Sequence, residues 1–149
     1  MVQFACFVKD VATRTRHNLE KIEAQSAAGF DVYEVTQLIN SLLGMVVFIQ
    51  QKEKLPAIHL SKIAGFPKVE FLKGNEETEQ LASFIKHFRN ALAHGRVEAK
   101  AEGTGDDISH LELSDKHHCE APVNWRVKCR IEDVRWIAIY LTKLITDES

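Results

Sequence analysis

Arg89 and His94 stand five positions apart in the stretch Phe88-Arg89-Asn90-Ala91-Leu92-Ala93-His94-Gly95-Arg96, and no other pair in the chain combines chemistry and position as well. Arginine carries a permanent charge in a rigid donor fork that suits phosphate, while histidine titrates near neutral pH and can move a proton. Together they are equipment for cleaving a phosphodiester. The chain has seven histidines and as many arginines, so about one such spacing arises by chance. Position and neighbours must carry the case.

Leu81, Phe84, Ile85, Phe88 and Leu92 make one apolar stripe at helical spacing, and Gly95 is a natural stop. Asn75 is expected to cap this helix, with Glu76, Glu77 and Glu79 in a first turn where the dipole favours negative charge. On an ideal helix, residues five apart point roughly 140° from one another. Arg89 therefore lies at one edge of the stripe and His94 beyond the other flank, with Lys86, Asn90 and Ala93 between them. Two arrangements bring the pair to one phosphate. Either a second copy packs there about a two-fold axis and shares each site, or the last turn tightens or unwinds at Gly95 and swings His94 back.

The 149 residues and 45% hydrophobic content suit a single soluble globular domain. A formal charge of -2 argues against a protein that coats nucleic acid with its whole surface, so any RNA contact is local. Between Lys86 and Lys100 the fixed charges are Lys86, Arg89, Arg96 and Lys100 against Glu98 alone, with His87 and His94 able to add more. This cationic patch reads either as an RNA contact or as cations offsetting a helix macrodipole. Cys6, Cys119 and Cys129 form no CxxC pair and leave an odd thiol, which fits a reducing cytosol. The apolar start, Met1 to Val8, lacks a basic leader and runs at once into Lys9 and Asp10, so it is not read as a signal peptide. No apolar run reaches membrane-spanning length.

Helices are expected on both sides of this segment. Phe4, Phe7, Val8, Val11, Leu19 and Ile22 follow a helical rhythm up to Gly29, interrupted by the polar stretch Thr13 to Asn18. Asp31 is the expected N-cap of a second helix, whose apolar positions from Val32 to Ile49 make it the central, most buried one. Pro56 to Ile63 reads as a short helix, and Gly65, Pro67 and Gly74 mark a connection. After a loop at Glu102-Gly103-Thr104-Gly105-Asp106-Asp107 the period changes to two: Leu111 and Leu113, then Val123, Trp125, Val127, Cys129 and Ile131. These predict a hairpin joined by Ser114 to Pro122. Val134, Ile137, Ala138, Leu141, Leu144 and Ile145 face one way on a last helix, with Trp136, Ile139 and Tyr140 on its flank, free to pack on the hairpin or on another subunit.

The stretch Arg89 to His94 resembles the signature of the HEPN domain superfamily: an arginine, four to six intervening residues and a histidine, commonly with a polar residue after the arginine, here Asn90. The second-helix segment Glu34 to Phe48, the hairpin and the closing helix resemble small bacterial members too. The resemblance implies a mainly α fold, an up-and-down helical bundle with a small C-terminal β-hairpin before the last helix, dimerising through the helix at 76–94. It also implies a metal-independent endoribonuclease of a bacterial defence or toxin system, held in check by an antitoxin or other regulatory protein. By that resemblance His94 moves a proton at the ribose 2'-OH or the leaving 5'-oxygen, Arg89 stabilises a phosphorane-like transition state, and Asn90 orients either group or the phosphate. The products would be a 2',3'-cyclic phosphate and a 5'-hydroxyl.

One departure stands out. Some HEPN toxins carry a modifiable tyrosine two residues after the histidine, and here that position is Arg96. Arg96, with Lys86 and Lys100, is then a candidate RNA contact. Glu34, Thr36 and Asn40 are polar residues on an apolar helix, suited to lining a cleft or to capping and interhelical hydrogen bonds. His117-His118-Cys119 has no second cluster at zinc-site spacing, and His110 joins it only if the turn folds back, so no metal is expected. Cys6 and Cys129 read as core thiols, Cys119 has no activating helix terminus beside it, and His17 with Arg14 and Arg16 reads as a solvated face. No phosphate loop, dinucleotide fingerprint or serine elbow is present, and no cofactor is expected. The rival expectation is a non-catalytic HEPN-like module that binds a partner, a nucleotide or RNA; a helical scaffold without RNA contact is the third.

Overall fold

A computed structural model describes residues 2–52, 55–101 and 108–147. The chain divides into two compact units, Met1–Glu53 with Arg135–Ser149, and Lys54–Val134. The expected loop at 102–107 and the Cys6 side chain lie outside what is described.

The first unit is helical: α1 (Val2–Ala27), α2 (Glu34–Lys52) and, from Arg135 onward, most of α4 (Ile131–Asp147). The polar run does not interrupt α1. Its side chains sit on the outside, where Thr13 donates its hydroxyl to the Lys9 carbonyl at 3.0 Å and Arg14 pairs with Asp10 at 3.0 Å, while Ala12 and Leu19 are buried. Gly29, with φ of 89°, ends α1: its N–H reaches the Ser26 carbonyl and that of Phe30 reaches the Gln25 carbonyl, satisfying two carbonyls of the last turn. α2 begins at Glu34 and not after an Asp31 cap, because the Tyr33 carbonyl takes the Gln37 N–H at 3.1 Å. Leu38, Leu42, Met45 and Val46 are buried while Val35, Ile39 and Leu43 are half-buried, so α2 has one inner face. On α4, Ile137, Ala138, Leu141 and Ile145 are buried, and Trp136 stacks on Tyr140 at 5.0 Å. Arg135 Nε donates to Glu23 on α1 at 2.6 Å.

The second unit corrects the expectation of a mainly α chain with a small hairpin. Its centre is a four-stranded antiparallel sheet in the order β1 (Glu70–Lys73), β4 (Trp125–Arg130), β3 (His110–Asp115), β2 (Val97–Lys100), so the architecture is mixed α/β. The expected hairpin is β3 with β4. The two flanking strands, four residues each, are too short for alternation to reveal them, and edge strands are commonly kept short.

One face of the sheet is apolar. Leu111 and Leu113 of β3 and Trp125, Val127 and Cys129 of β4 are buried, and α3 (Leu81–Ala93) packs on β3 with Leu81, Phe84, Ile85, Phe88 and Ala91 buried. Trp125 lies 5.8 Å from Phe84, 6.2 Å from Phe88 and 6.4 Å from Phe71, all with edge-to-face geometry. The expected helix at 76–94 starts late. Residues 76–78 form a 3-10 turn, and Gln80, without a side-chain cap, is held extended by a bridge to His59, where the Leu81 N–H reaches the Ile58 carbonyl at 2.8 Å. Pairing across the unit outweighs the Asn75 cap. The helix expected at 56–63 shrinks to a 3-10 turn at Leu60–Lys62. Among the described residues, no helix is long and apolar enough to cross a membrane.

Candidate functional site at the end of the third helix

The C-terminus of α3 fixes the signature residues. Gly95 takes φ of +66°, its N–H bonds the Leu92 carbonyl at 3.3 Å and the Arg96 N–H bonds the Ala91 carbonyl at 2.8 Å. Nested bonds of this kind close a helix on a left-handed residue, which glycine supplies without steric cost. His94 is thereby the C-cap, its N–H on the Asn90 carbonyl at 3.0 Å and its side chain exposed. Helical geometry persists through Ala93, so His94 is not swung back onto Arg89. No hydrogen bond joins the two side chains among the described residues.

A residue read as part of the hairpin loop organises this end of the helix. Asp115 closes β3 and points inward, next in the alternation after Leu111 and Leu113, and is 3% exposed. A buried carboxylate is tolerated only when its oxygens are bonded. Here Oδ2 meets His87 Nδ1 at 2.8 Å and accepts from Asn90 Nδ2 at 3.0 Å, while Oδ1 accepts from Arg96 Nη1 at 3.2 Å and from the Lys116 N–H at 2.8 Å. Burial alone raises the Asp115 pKa, and the bonds from His87, Asn90 and the Lys116 amide outweigh it, holding the carboxyl below its ordinary value. His87 lies flat on Trp125, ring centres 4.9 Å apart, so the aromatic core supports the pair from one side.

Through Asn90 this network reaches Arg89. Arg89 Nη1 donates to Asn90 Oδ1 at 3.4 Å, and the guanidinium is otherwise exposed. The structure thus brings Asn90 and Arg96 together on Asp115, attaches Arg89 through Asn90, and leaves His94 open at the helix end.

The remaining candidates are less integrated. Lys86 is exposed, and Lys100 pairs with Glu98 at 3.0 Å, a bond that lowers the glutamate's pKa and raises the lysine's. Glu34, Thr36 and Asn40 belong to α2 in the other unit; Thr36 and Asn40 are exposed and Glu34 is half-buried in the first turn. His117, His118 and Cys119 are exposed in the turn after β3, where Lys116 Nζ caps the Cys119 carbonyl at 2.7 Å. His110 is buried beside Ser109, with Nδ1 to Oγ at 2.8 Å. Among the described residues, no three histidine, cysteine or acidic side chains cluster as a metal ion requires. Cys129 is buried, and burial with the nearby Asp133 carboxylate pushes its thiol far up, away from nucleophilic use.

Asp115 and the pairing role of His87 escaped the sequence reading. The signal available was the period of two, which makes Asp115 the third inward residue of β3. A family model described as HEPN pEK499 p136 matches residues 1–149. No curated protein and no solved structure matches the chain.

Proposed function

The chain belongs to the HEPN pEK499 p136 family and is a HEPN domain member, and from that premise we propose that it is a metal-independent endoribonuclease of a bacterial defence or toxin system, working in the cytoplasm. The observation that carries the reading is the Asp115 clamp, which orders Asn90 and Arg96 around an exposed Arg89 and His94. Asp115 fixes the Asn90 amide so that its oxygen is offered to the exposed Arg89 guanidinium.

In this mechanism the ribose 2'-OH attacks phosphorus and the bond to the 5'-oxygen breaks. His94 moves a proton at one of those two oxygens, and Arg89 stabilises the charge that gathers on the phosphorane-like transition state. The products are a 2',3'-cyclic phosphate and a 5'-hydroxyl. Asn90 orients Arg89, Asp115 positions Asn90 and Arg96, and Arg96 with Lys86 and Lys100 holds flanking phosphates. Because Arg89 and His94 diverge on one α3, the working site is a dimer's, with two copies of this helix supplying each pair. An antitoxin or regulatory protein restrains it.

One observation favours a second reading, a non-catalytic module that binds a partner, nucleotide or RNA: Arg89 and His94 do not touch within the chain. Cleavage of total tRNA and of a structured single-stranded RNA in EDTA, by wild type, Arg89→Ala and His94→Ala, separates the two. Cyclic-phosphate fragments from wild type alone, with the oligomeric state of the variants unchanged, are expected. Equal traces from all three proteins would overturn the ribonuclease and leave the binding module.

A further inference from the structure

The outer face of the sheet carries a cavity of about 200 Å³ of mixed lining that begins at Gly95, with Arg96, Val97, Glu98, Glu112, Ser114 and Arg126 among its walls. Four charges meet there, and they are not equivalent. Arg96 is held by Asp115 and Glu98 by Lys100. The Glu112 carboxylate and the Arg126 guanidinium are both half-buried; among the described residues neither makes a hydrogen bond or a close ion pair, and their charges act at longer range, Glu112 on Lys100 and Arg126 on Glu98. Glu112 faces Lys128 and Ser114 faces Arg126, so the two are diagonal neighbours, about 7 Å apart at the backbone.

We propose that this cavity is the base-recognition subsite for guanine in RNA, a reading that rests on the ribonuclease proposed above. A carboxylate accepts, and a guanidinium only donates. Guanine presents a ring N–H beside an amino group, then two acceptors, O6 and N7, farther along its perimeter. Glu112 takes the donor pair with two parallel bonds, and Arg126 donates to the acceptors, as arginine does when it reads guanine in duplexes. Adenine and cytosine put a lone pair where guanine has the ring N–H, against the carboxylate. Uracil offers a single N–H. A free phosphate is a poor occupant because Glu98 and Glu112 both line the space.

Size and place agree with this assignment. The cavity is smaller than the roughly 300–1,000 Å³ of sites that engulf a whole ligand, so it suits one base with its ribose and phosphate outside. Gly95 and Arg96 follow His94 in the chain, so the cavity wall begins at the residue after the proposed proton-moving group.

Two measurements on the full chain test the proposal. In the first, 5'-GMP, AMP, CMP and UMP are titrated separately into labelled protein and amide shifts are followed. GMP is expected to move Arg96, Glu112, Ser114 and Arg126, and Glu112→Gln or Arg126→Ala to weaken it by roughly 10–100-fold, while His118→Ala, exposed in the turn after β3 and outside the cavity lining, binds as wild type does. In the second, RNAs that differ only at one base beside the cut are compared. Wild type is expected to prefer guanine, and Glu112→Gln to lose the preference while still cutting the other sequences. Equal shifts from all four nucleotides, or cleavage by wild type without base preference, would overturn the guanine subsite and leave the ribonuclease standing. Selective GMP binding with no cleavage of any RNA would overturn the ribonuclease and leave a guanine-nucleotide site.

Discussion

Asn90 on α3 and Asp115 at the end of β3 meet at 3.0 Å, and that contact decides which way the Asn90 amide faces. A carboxylate has only acceptors, so it claims the NH2 group; a guanidinium has only donors, so Arg89 is offered the amide oxygen. An amide placed between an acceptor-only and a donor-only neighbour has one satisfied orientation. The order carboxylate, amide, guanidinium therefore runs from the buried sheet to the exposed helix face.

Asp115→Asn is expected to break this order without changing volume. The new NH2 replaces one of the two oxygens, so it faces either the Arg96 and Lys116 donors or the Asn90 amide beside His87, and the one oxygen left cannot serve both sets. Urea unfolding should show a loss of about 2–4 kcal/mol, in the range for removing one partner of a buried, hydrogen-bonded charge. If cleavage is found, kcat should fall with KM little changed, since Arg89 is misplaced for the transition state while the surface cations remain. A stability change within about 0.5 kcal/mol would remove Asp115 from the centre of the site.

The acid limb of stability should carry two opposed contributions. Asp115 has a depressed pKa in the folded chain, so its contribution is fully present above about pH 5 and is lost as pH falls below about 4. Glu79 is the reverse. Burial raises its pKa, with the charge of His87 and contacts to Ser83 and Trp125 only partly opposing it. Its folded form holds the proton longer than the unfolded one, so stability falls as pH rises from about 4 through the raised value. Urea midpoints between about pH 3 and pH 8 check both: Asp115→Asn flattens the acid limb, and Glu79→Gln gains on wild type at neutral pH, with the gain vanishing in acid. A Glu79→Gln advantage independent of pH would refute the second contribution.

Thiol chemistry offers a test of the sheet itself. Cys129 is fully buried on β4 and Cys119 is exposed in the turn before it. A thiol-selective reagent on native protein, followed by peptide mapping, should modify Cys119 within minutes and Cys129 only after unfolding. Equal labelling of the two in the native protein would contradict the inward register of β4.

What the sequence made legible follows from the length of each pattern. The long periodic segments became helices, and the alternation read from Val123 to Ile131 became β4 with its lead-in, except that Ile131 opens α4 instead of closing the strand. Strands β1 and β2, four residues each, offer two side chains per face, too few to separate from loop. The Lys100 pairing with Glu98 follows the same logic: two residues apart, they share a face only once the segment is known to be a strand. Asp115 was hidden differently. Alternation is read from apolar residues, so a carboxylate in the third inward place looks like the start of a turn, and its partner His87 lies 28 positions away.

Gly95 ties the fold to the signature, and two substitutions separate its roles. At φ of +66° an alanine is strained even though a Cβ there meets nothing within 4 Å, so the cost is conformational and not steric crowding. Gly95→Ala should destabilise by about 1–2 kcal/mol in urea unfolding. Gly95→Asn should recover much of that, because asparagine tolerates the left-handed region. The same order, glycine, then asparagine, then alanine, is expected for any RNA cleavage, since this turn sets His94 at the helix cap and sends Arg96 back to Asp115. Alanine as stable as glycine would mean that the chain leaves α3 by another route, and with it would go the placement of both His94 and Arg96.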